Sequence, residues 1–291
     1  MNDLASVLSA LQCGDFQIRW EMVQEVLAFG EDALPPLIDL LERSHEDVEL
    51  QWFLAKILGS FHCSEAVLAL VQLLETAEDD DLSDRAAQSL AEMGTDAVTT
   101  LARCLEDPSR RWVAIKALAQ MEQPEVVPFL LDAFPTVPSD LQVLILDALD
   151  RFQAPVITEV FQQGLQNSDP NVRKVAIAGF ASHSESYSNE ERVQVIAPFL
   201  DDSAPDVAER AARALGRLGT EGAAIALAQK CCDPHSPPDL QQTLIQSLGW
   251  IGSKSALDGL IQIWEMLGQT KPHVRPLASR GIGKPLSYRR S

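Results

Sequence analysis

The sequence predicts an all-α fold, a right-handed α-solenoid (superhelix) of about nine helix pairs, and two observations lead to this prediction. The first is a stripe of apolar residues at helical positions 0, +4, +8 and +11, which recurs nine times in the 291 residues. The second is the period, because the +8 members lie 28 to 35 residues apart, the spacing of helix-pair repeats. These members are Val26, Leu58, Leu90, Leu118, Leu149, Phe180, Leu215, Leu248 and Ile282.

Each repeat is predicted to contain a first helix, a short turn and a second helix that carries the stripe. In order, the predicted first helices are Leu4–Leu11, Leu34–Leu41, Leu68–Leu74, Val98–Leu105, Val126–Phe134, Val156–Leu165, Val193–Leu200, Ala223–Cys231 and Ala256–Leu267. The second-helix stripes begin at Ile18, Leu50, Leu82, Arg110, Leu141, Val172, Val207, Leu240 and Val274. Residues 169–180 show the pattern most clearly, with Asp169 as N-cap and Pro170 where a helix needs no N–H. No segment alternates as a strand does.

The unbroken repeat predicts one elongated solenoid over residues 1–267, followed at 268–291 by a degenerate capping repeat and a basic tail. From Gly268 onward there is no Asp or Glu, and six Lys and Arg residues give a formal +6. Since the whole chain carries -19, the residues before the tail carry -25. We therefore expect no binding of nucleic acid, by the tail or by the body.

Membrane insertion is not expected, because no apolar run has the length of a membrane span. The five cysteines are an odd number scattered over helical segments, which favours a reduced, cytoplasmic location. The sequence contains no nucleotide-binding loop, no Ser-His-Asp order and no carboxylate pair that stands out from the acidic background, so no catalytic residue is predicted.

Counted from the first stripe residue, positions +2 and +6 of each second helix fall opposite the core stripe. The +2 column holds three of the five tryptophans. The charged residues of the +6 column are mostly Lys and Arg. We predict a protein partner on these columns, bound by Trp20, Trp52, Lys56, Trp112, Lys116, Lys174 and Arg213. The alternative is that the tryptophans only pack against neighbouring helices. The +9 column is mostly Gly and Ala, which would leave room for a guest.

Arginines recur at position +1, next to the start of the stripe. Arg19, Arg111, Arg173 and Arg275 are predicted to form a structural ladder that bridges turn acids and backbone carbonyls between repeats. Gln replaces them in other repeats. Cys231 and Cys232 form the only vicinal thiol pair, and they are weak candidates for a metal site because further ligands do not follow nearby.

The sequence Asp-Pro-x-Val-Arg-x-x-Ala at residues 169–176, at this period, resembles HEAT repeats. Residues 210–219 and 248–252, together with Ile18-Arg19-Trp20, resemble the HEAT-like repeats of phycobilisome lyases. That family includes bilin lyase subunits, phycobilisome-degradation factors and a cyanobacterial HEAT protein that partners an A-type iron–sulfur carrier. The resemblance implies that the second helices line a concave face.

The resemblance leaves three functions open. The first is a non-catalytic scaffold for a protein partner. The second is a phycobilin lyase subunit, in which the Trp and Lys/Arg columns hold a bilin and the chain forms a heterodimer with another HEAT protein. The third is an iron–sulfur assembly factor that uses the thiols. The HEAT enzyme deoxyhypusine hydroxylase holds two irons with repeated His-Glu pairs, whereas His45-Glu46 is the only such pair here.

Overall fold

The computed structural model describes residues 3–183 and 187–267, and within these ranges it is all-α, with no strand. Four short 3-10 segments adjoin the α-helices at Gly30–Ala33, Pro124–Val126, Phe134–Thr136 and Ala197–Asp201. The α-helices are α1 (Leu4–Cys13), α2 (Phe16–Leu27), α3 (Leu34–Arg43), α4 (Val48–Leu58), α5 (Ser64–Thr76), α6 (Asp80–Glu92), α7 (Thr95–Cys104), α8 (Arg111–Gln120), α9 (Val127–Ala133), α10 (Ser139–Leu149), α11 (Ile157–Leu165), α12 (Pro170–His183), α13 (Asn189–Ile196), α14 (Pro205–Leu218), α15 (Glu221–Cys232), α16 (Pro238–Ile251) and α17 (Lys254–Leu267).

The helices pair in the predicted order, so that α1 and α2 form repeat 1, α3 and α4 form repeat 2, and so on along the chain. The chain divides after Arg151 into two compact units. In the first unit, α4 packs between α2 and α6, and α8 packs between α6 and α10. In the second unit, α14 packs between α12 and α16, and α15 contacts α17. This stacking of like helices confirms the predicted α-solenoid.

The predicted stripe is buried in both units. Its +4 members Ala86, Ala114 and Ala176 are fully buried, as are the +8 members Leu118 and Phe180. Small residues at +4 let the second helices of adjacent repeats approach closely. The +5 column is buried as well, from Ala55 to Ile245, because each second helix contacts a neighbour on two sides.

The first repeat departs from the predicted pattern. Ile18, expected in the core stripe, is exposed, and α2 instead buries Arg19, Val23 and Val26. The second helix that α2 contacts is α4, so α2 packs against another second helix on one side only. The buried face of α2 is therefore turned from the expected one toward its single neighbour.

Capping residues fix where the second helices begin and end. The N-cap side chain of Asp47 accepts from the N–H of Leu50, and that of Asp79 accepts from the N–H of Leu82, each at 2.9 Å. Gly219 and Gly252 end α14 and α16 in the left-handed region, with φ of 69° and 60°. No helix in the described part of the chain is long and apolar enough to cross a membrane. The predicted capping repeat and basic tail, with Arg275, lie outside the described residues.

Candidate interaction surface

The +2 and +6 columns face solvent, as predicted. Trp20 is 48% exposed and Trp112 is 44% exposed, while Trp52, Lys56 and Lys116 are half-buried. We call the +2 and +6 residues of repeats 1 to 4 the +2/+6 surface. It consists of Trp20, Gln24, Trp52, Lys56, Asp84, Gln88, Trp112 and Lys116.

An aromatic cluster occupies the part of this surface that α2 and α4 supply. The ring of Phe16 stacks on Trp20, with centroids 6.2 Å apart, and meets Phe53 edge-on at 5.2 Å. Phe53 also meets Trp20 at 6.4 Å and Trp52 at 5.3 Å, both edge-on. Phe53 is fully buried, so it anchors the exposed rings of Phe16 and Trp20 to the core. The N-terminal aromatic cluster is Phe16, Trp20, Trp52 and Phe53.

Lys56 joins the two tryptophans of this cluster. Its Nζ lies 4.9 Å from the centroid of the Trp20 ring and 5.8 Å from that of Trp52. Both distances are within the range of cation–π attraction. No carboxylate lies within 4.0 Å of this ammonium in residues 3–183 and 187–267. Lys56 is thus a cation held by aromatic rings in a strongly acidic protein.

Arg85 of α6 lies against the same cluster, although no sequence pattern predicted a role for it. Its guanidinium carbon lies 5.8 Å from the Trp52 ring centroid, and its side chain is only 7% exposed. Nε donates to Ser89 Oγ at 3.2 Å, and Nη2 lies 3.0 Å from Glu92 Oε1. Arg85 Nη2 and Glu92 Oε1 therefore form an ion pair, but their geometry is not that of a hydrogen bond. The sequence spacing could have indicated these contacts, because Ser89 and Glu92 follow Arg85 by four and seven residues and so lie on the same face of α6.

Trp112 and Lys116 lie on α8 and do not join the aromatic cluster. Nζ of Lys116 donates to Ser83 Oγ at 2.6 Å and lies 3.8 Å from Asp84 Oδ1. Lys116 therefore reaches back to repeat 3, as Lys56 reaches back to repeat 1. The structure brings Trp20, Trp52 and Lys56 together, and it leaves Trp112 as a separate exposed ring.

The two predicted residues of the second unit are engaged in ion pairs. Lys174 Nζ lies 3.7 Å from Asp206 Oδ2. Arg213 Nη2 donates to Glu209 Oε2 at 2.8 Å, one turn away on α14. Neither of these cations lies over an aromatic ring within the described residues.

The structure places Arg19 and Arg173 in the geometry of the predicted ladder. Arg19 donates to the carbonyl of Leu11 at 3.0 Å and reaches Asp47 of repeat 2 at 2.5 Å. Arg173 donates to the carbonyl of Asn167 at 2.9 Å and to both oxygens of Asp202 at 2.8 and 2.7 Å. Each arginine thus links the end of its own first helix to an acid of the next repeat.

These ion pairs shift the pKa values of their members. The hydrogen bonds from Arg19 hold the pKa of Asp47 below its ordinary value, and those from Arg173 do the same to Asp202. In return, the two aspartates raise the pKa of Arg19 and Arg173. The carboxylates are therefore charged at any neutral pH and stabilise the fold there.

The other repeats keep only part of the ladder. Arg111 donates to the carbonyl of Leu105 at 3.0 Å, and Gln142 donates to that of Phe134 at 2.9 Å. Gln241 donates weakly to the carbonyl of Cys231, and its own carbonyl oxygen is buried without a partner. Arg151, which no sequence pattern predicted, donates to the carbonyls of Ala119 and Met121.

The small +9 residues do not leave room for a guest where the contacts are tightest. A Cβ on Gly59 would lie 2.9 Å from the Cβ of Ser89, and one on Gly216 would lie 2.9 Å from that of Ser247. The same pair of positions, +9 in one repeat and +7 in the next, touches in both units. The expectation is wrong at these positions, because the small residues permit close approach of neighbouring second helices.

The vicinal thiols lie at the end of α15. Cys231 is buried and Cys232 is half-buried, and burial raises the pKa of the Cys232 thiol. A raised pKa keeps the thiol protonated and weakens it as a nucleophile or ligand. In the part of the chain that the structure describes, no group of three or more His, Cys, Asp or Glu side chains is placed to hold a metal ion.

A cleft opens between α3, α4 and α5. It measures about 310 Å³ including the part open to solvent, and its walls include Glu42, His45 and Gln51 on one side and Gln72 and Thr76 on the other. It is lined by the +1 residue of repeat 2 and not by the +2/+6 surface.

Comparison with known proteins decides the family. Models of HEAT repeats match residues 4–91, 67–149 and 158–237, which together make up more than half of the chain. The chain belongs to the HEAT-repeat family. No curated protein sequence matches this HEAT-repeat chain.

Several solved structures are similar to this chain, and one of them has a TM-score above 0.5. The karyopherin Kap121p, bound to the extreme C-terminus of the protein phosphatase Cdc14p, matches with a TM-score of 0.60 at 12% identity, over 96% of this chain and 37% of that one. The CpcE–CpcF phycocyanin lyase from Nostoc sp. PCC7120 matches with a TM-score of 0.37 at 21% identity, over 79% and 93%. Human deoxyhypusine hydroxylase matches with a TM-score of 0.37 at 17% identity, over 96% and 94%. At such low identities, the karyopherin match indicates the solenoid fold alone.

Proposed function

We propose that this HEAT-repeat protein is an interaction scaffold that binds a protein partner through the +2/+6 surface of repeats 1 to 4. The observation that carries the proposal is the N-terminal aromatic cluster with Lys56 bound across its two tryptophans. Phe16 and Trp20 are each about half exposed and their rings adjoin, and contiguous exposed apolar groups commonly mark interaction sites.

The chemistry of this surface suits an apolar anchor beside a negative charge. Tryptophan side chains dominate the binding energy at many protein interfaces. Lys56 lies between Trp20 and Trp52 with no carboxylate of its own nearby, so a partner's carboxylate would find a fixed cation there. We therefore expect a partner segment that combines apolar and acidic side chains.

A matched pair of tryptophan variants tests the proposal. Partners are isolated with the full chain and identified by mass spectrometry, and each purified partner is titrated against the variants by calorimetry. Trp52→Ala is expected to weaken the complex by about 2 kcal/mol or more, because it removes an aromatic anchor. Trp250→Ala is the control, since Trp250 is 55% exposed on α16 in the other unit.

Thermal unfolding of each variant separates binding from folding. Trp52 is half-buried against Phe53 and Arg85, so a small loss of stability is expected with it. The proposal fails if Trp250→Ala weakens binding as much as Trp52→Ala does. It also fails if Trp52→Ala unfolds the protein while a folded Lys56→Glu/Lys116→Glu variant binds normally.

A bilin-holding role on the same surface is the alternative. Flat rings such as those of Trp20 and Trp52 would stack on a tetrapyrrole, and Lys56 would pair with one of its carboxylates. Co-expression with a phycobilin, alone and with a second HEAT protein, would give visible absorbance bound to the protein if this role is correct. An iron–sulfur role has weaker support because Cys231 is buried and burial raises the pKa of the Cys232 thiol. Reconstitution followed by iron and sulfide analysis tests it.

A further inference from the structure

The last described helix, α17, carries an exposed apolar stripe. Leu257, Ile261 and Trp264 follow one another at spacings of four and three residues, which places them on one face of the helix. Their exposed fractions are 41%, 40% and 38%. We call these three residues the α17 stripe. Contiguous exposed apolar groups of this kind commonly mark interaction sites.

The preceding first helix, α15, begins in the same way as α17, so the two can be compared residue by residue. Thr220 Oγ1 accepts from the N–H of Ala223 at 3.2 Å, and Ser253 Oγ accepts from the N–H of Ala256 at 3.2 Å. Each residue of α15 therefore corresponds to the residue of α17 that lies 33 positions later (253 minus 220). The residues of α15 that correspond to the α17 stripe are all buried, and they are Ala224, Ala228 and Cys231.

In α15 this face is buried by the next first helix. α15 contacts α13, the first helix before it, and α17, the first helix after it. The contact with α17 is close, because a Cβ on Gly259 would lie 2.8 Å from the Cβ of Ala228. The first helix that α17 itself contacts is α15. The α17 stripe thus occupies the place where the first helix of a further repeat would pack.

Residues 268–291 have the wrong sequence for such a first helix. Gly or Pro recurs there at positions 268, 272, 276, 281, 283 and 285, so no run of more than six residues lacks both. By comparison, α15 has 12 residues and α17 has 14. Gly and Pro are the least favourable residues in a helix interior. These residues are therefore poorly suited to supply the helix that the α17 stripe requires.

Charged residues beside the stripe are arranged so that two copies of α17 complement each other. Lys254 at the start of α17 and Glu265 near its end are exposed, and their spacing of eleven residues places both on the same side of the stripe. The helix dipole disfavours a cation at the start of a helix and an anion at its end. In an antiparallel pair of α17 helices, Lys254 of each copy faces Glu265 of the other, and the apolar stripes meet between these pairs.

We propose that the α17 stripe is the contact surface of a homodimer, in which a second copy of this chain packs its own α17 antiparallel against the first. The contact is isologous, because both copies contribute the same residues, so it closes at two chains and does not extend into a filament. In this register Trp264 of each copy lies beside Leu257 of the other. The surface is separate from the +2/+6 surface and does not depend on the partner bound there.

The size of the contact sets the strength of the expected dimer. Standard interfaces use about 20 to 30 residues from each side. One helix of 14 residues from each copy is a smaller contact, so the dimer should be weak and reversible. We expect a Kd of about 10 μM.

Sedimentation equilibrium of the full chain tests the proposal. The measurement uses about 0.15 M salt, which screens the repulsion between two acidic chains beyond about 8 Å. Ile261→Asp places a charge at the centre of the contact and should weaken the dimer at least about hundredfold. Ile225→Asp is the matched control, since it makes the same change at an exposed position of α15 and should leave the Kd unchanged. Both variants should unfold at the wild-type temperature at about 1 μM, where the chain is monomeric.

Two charge variants test the antiparallel arrangement. Lys254→Glu and Glu265→Lys each place like charges across the contact, and each alone should weaken the dimer about tenfold. An equal mixture of the two variants should dimerise nearly as well as the wild type, because an antiparallel pair then joins opposite charges at both ends. The double variant Lys254→Glu/Glu265→Lys should also recover wild-type affinity, since it only exchanges the charges.

Three results would overturn the proposal. They are a wild type that stays monomeric up to about 200 μM, a dimer whose Kd is unchanged in Ile261→Asp, and single charge variants whose weakened dimer does not recover in the mixture. Trp52→Ala should leave the dimer unchanged, and Ile261→Asp should leave partner binding at the +2/+6 surface unchanged. The homodimer and the proposed scaffold function are therefore tested independently.

Discussion

The same two columns of the repeat have different chemistry in the two units. In the first unit, positions +2 and +6 present Trp20, Trp52 and Trp112, with Lys56 held by aromatic rings. In the second unit, the corresponding cations Lys174 and Arg213 are paired with aspartate and glutamate.

This difference shows that the repeat determines which positions face outward, but not what they do. Exposed ion pairs gain little free energy and mainly keep a surface hydrated. Exposed tryptophans have the opposite effect, since each leaves apolar area in water that a partner could cover. Function is therefore expected where a column departs from the charged pattern, in repeats 1 to 4.

The largest expected effect is a loss of stability that is similar in the two units, because the +4 positions of the second helices are fully buried in both. Ala114→Asp in the first unit and Ala176→Asp in the second each place an unpaired charge at a fully buried +4 position. We expect each to cost about 3 kcal/mol or more and to lower the melting temperature by roughly 10 °C. Thermal unfolding followed by circular dichroism measures this. Gln24→Asp and Gln246→Asp are exposed controls at +6, and a loss as large in these would contradict the assignment of the columns.

The next largest effect is the loss of stability when a ladder arginine and its partner are separated, and it should be larger where the arginine has a carboxylate than where it has only a carbonyl. Asp202→Asn in the second unit should cost about 2 to 3 kcal/mol at pH 7, because it leaves the half-buried Arg173 without its carboxylate. Arg111→Gln in the first unit should cost less, since Arg111 has no carboxylate within 4.0 Å in the described ranges.

The pH dependence of these two variants gives a second test. The pKa of Asp202 is lowered by Arg173, so its contribution is complete above the unfolded value of about 3.9 and is lost as the pH falls through the lowered pKa. The difference in melting temperature between the wild type and Asp202→Asn should therefore be full at pH 7 and shrink as the pH falls below the unfolded value of about 3.9 and through the lowered pKa. For Arg111→Gln the difference should stay constant. A constant difference for Asp202→Asn would refute the charged pair.

The smallest effect concerns association with the partner. Lys56→Glu and Lys116→Glu should slow association severalfold and reduce its dependence on salt, because they reverse the cations of the +2/+6 surface. Lys174→Glu is the matched variant in the second unit and should leave the association rate unchanged. Stopped-flow mixing with the purified partner at low and high ionic strength measures both. Equal slowing by all three would show that total charge, and not the surface, controls association.

Sequence periodicity was sufficient for the fold because the core depends on small and apolar residues at fixed helical positions. The full burial of Ala114 and Ala176 follows directly from their place in the stripe. Ile18 was wrongly predicted to be buried. The repeat pattern describes a second helix with a neighbour on each side, whereas α2 packs against one second helix, α4.

The candidate site was less predictable because it depends on contacts between repeats. Arg85 lies at +3, a position whose residues share no chemistry from repeat to repeat, from Phe53 and Val113 to Glu21 and Arg210, so no column indicated a role for it. The small +9 residues were misjudged for a related reason. Glycine is compatible with both an open groove and a tight contact, and only the distance from Gly59 to Ser89 decides between them.

The N-terminal aromatic cluster, taken with the Lys56 and Arg85 cations that lie over its rings, belongs to no single repeat. Trp20 comes from α2, Trp52 and Lys56 come from α4, and Arg85 comes from α6. In a solenoid each repeat is held by its neighbours alone, so the first helices can open locally while the remainder stays folded. Every such opening takes Trp20 away from Lys56 and dismantles the cluster. A partner that binds there would hold three repeats together, and the amide hydrogens of α2 would exchange more slowly in its presence.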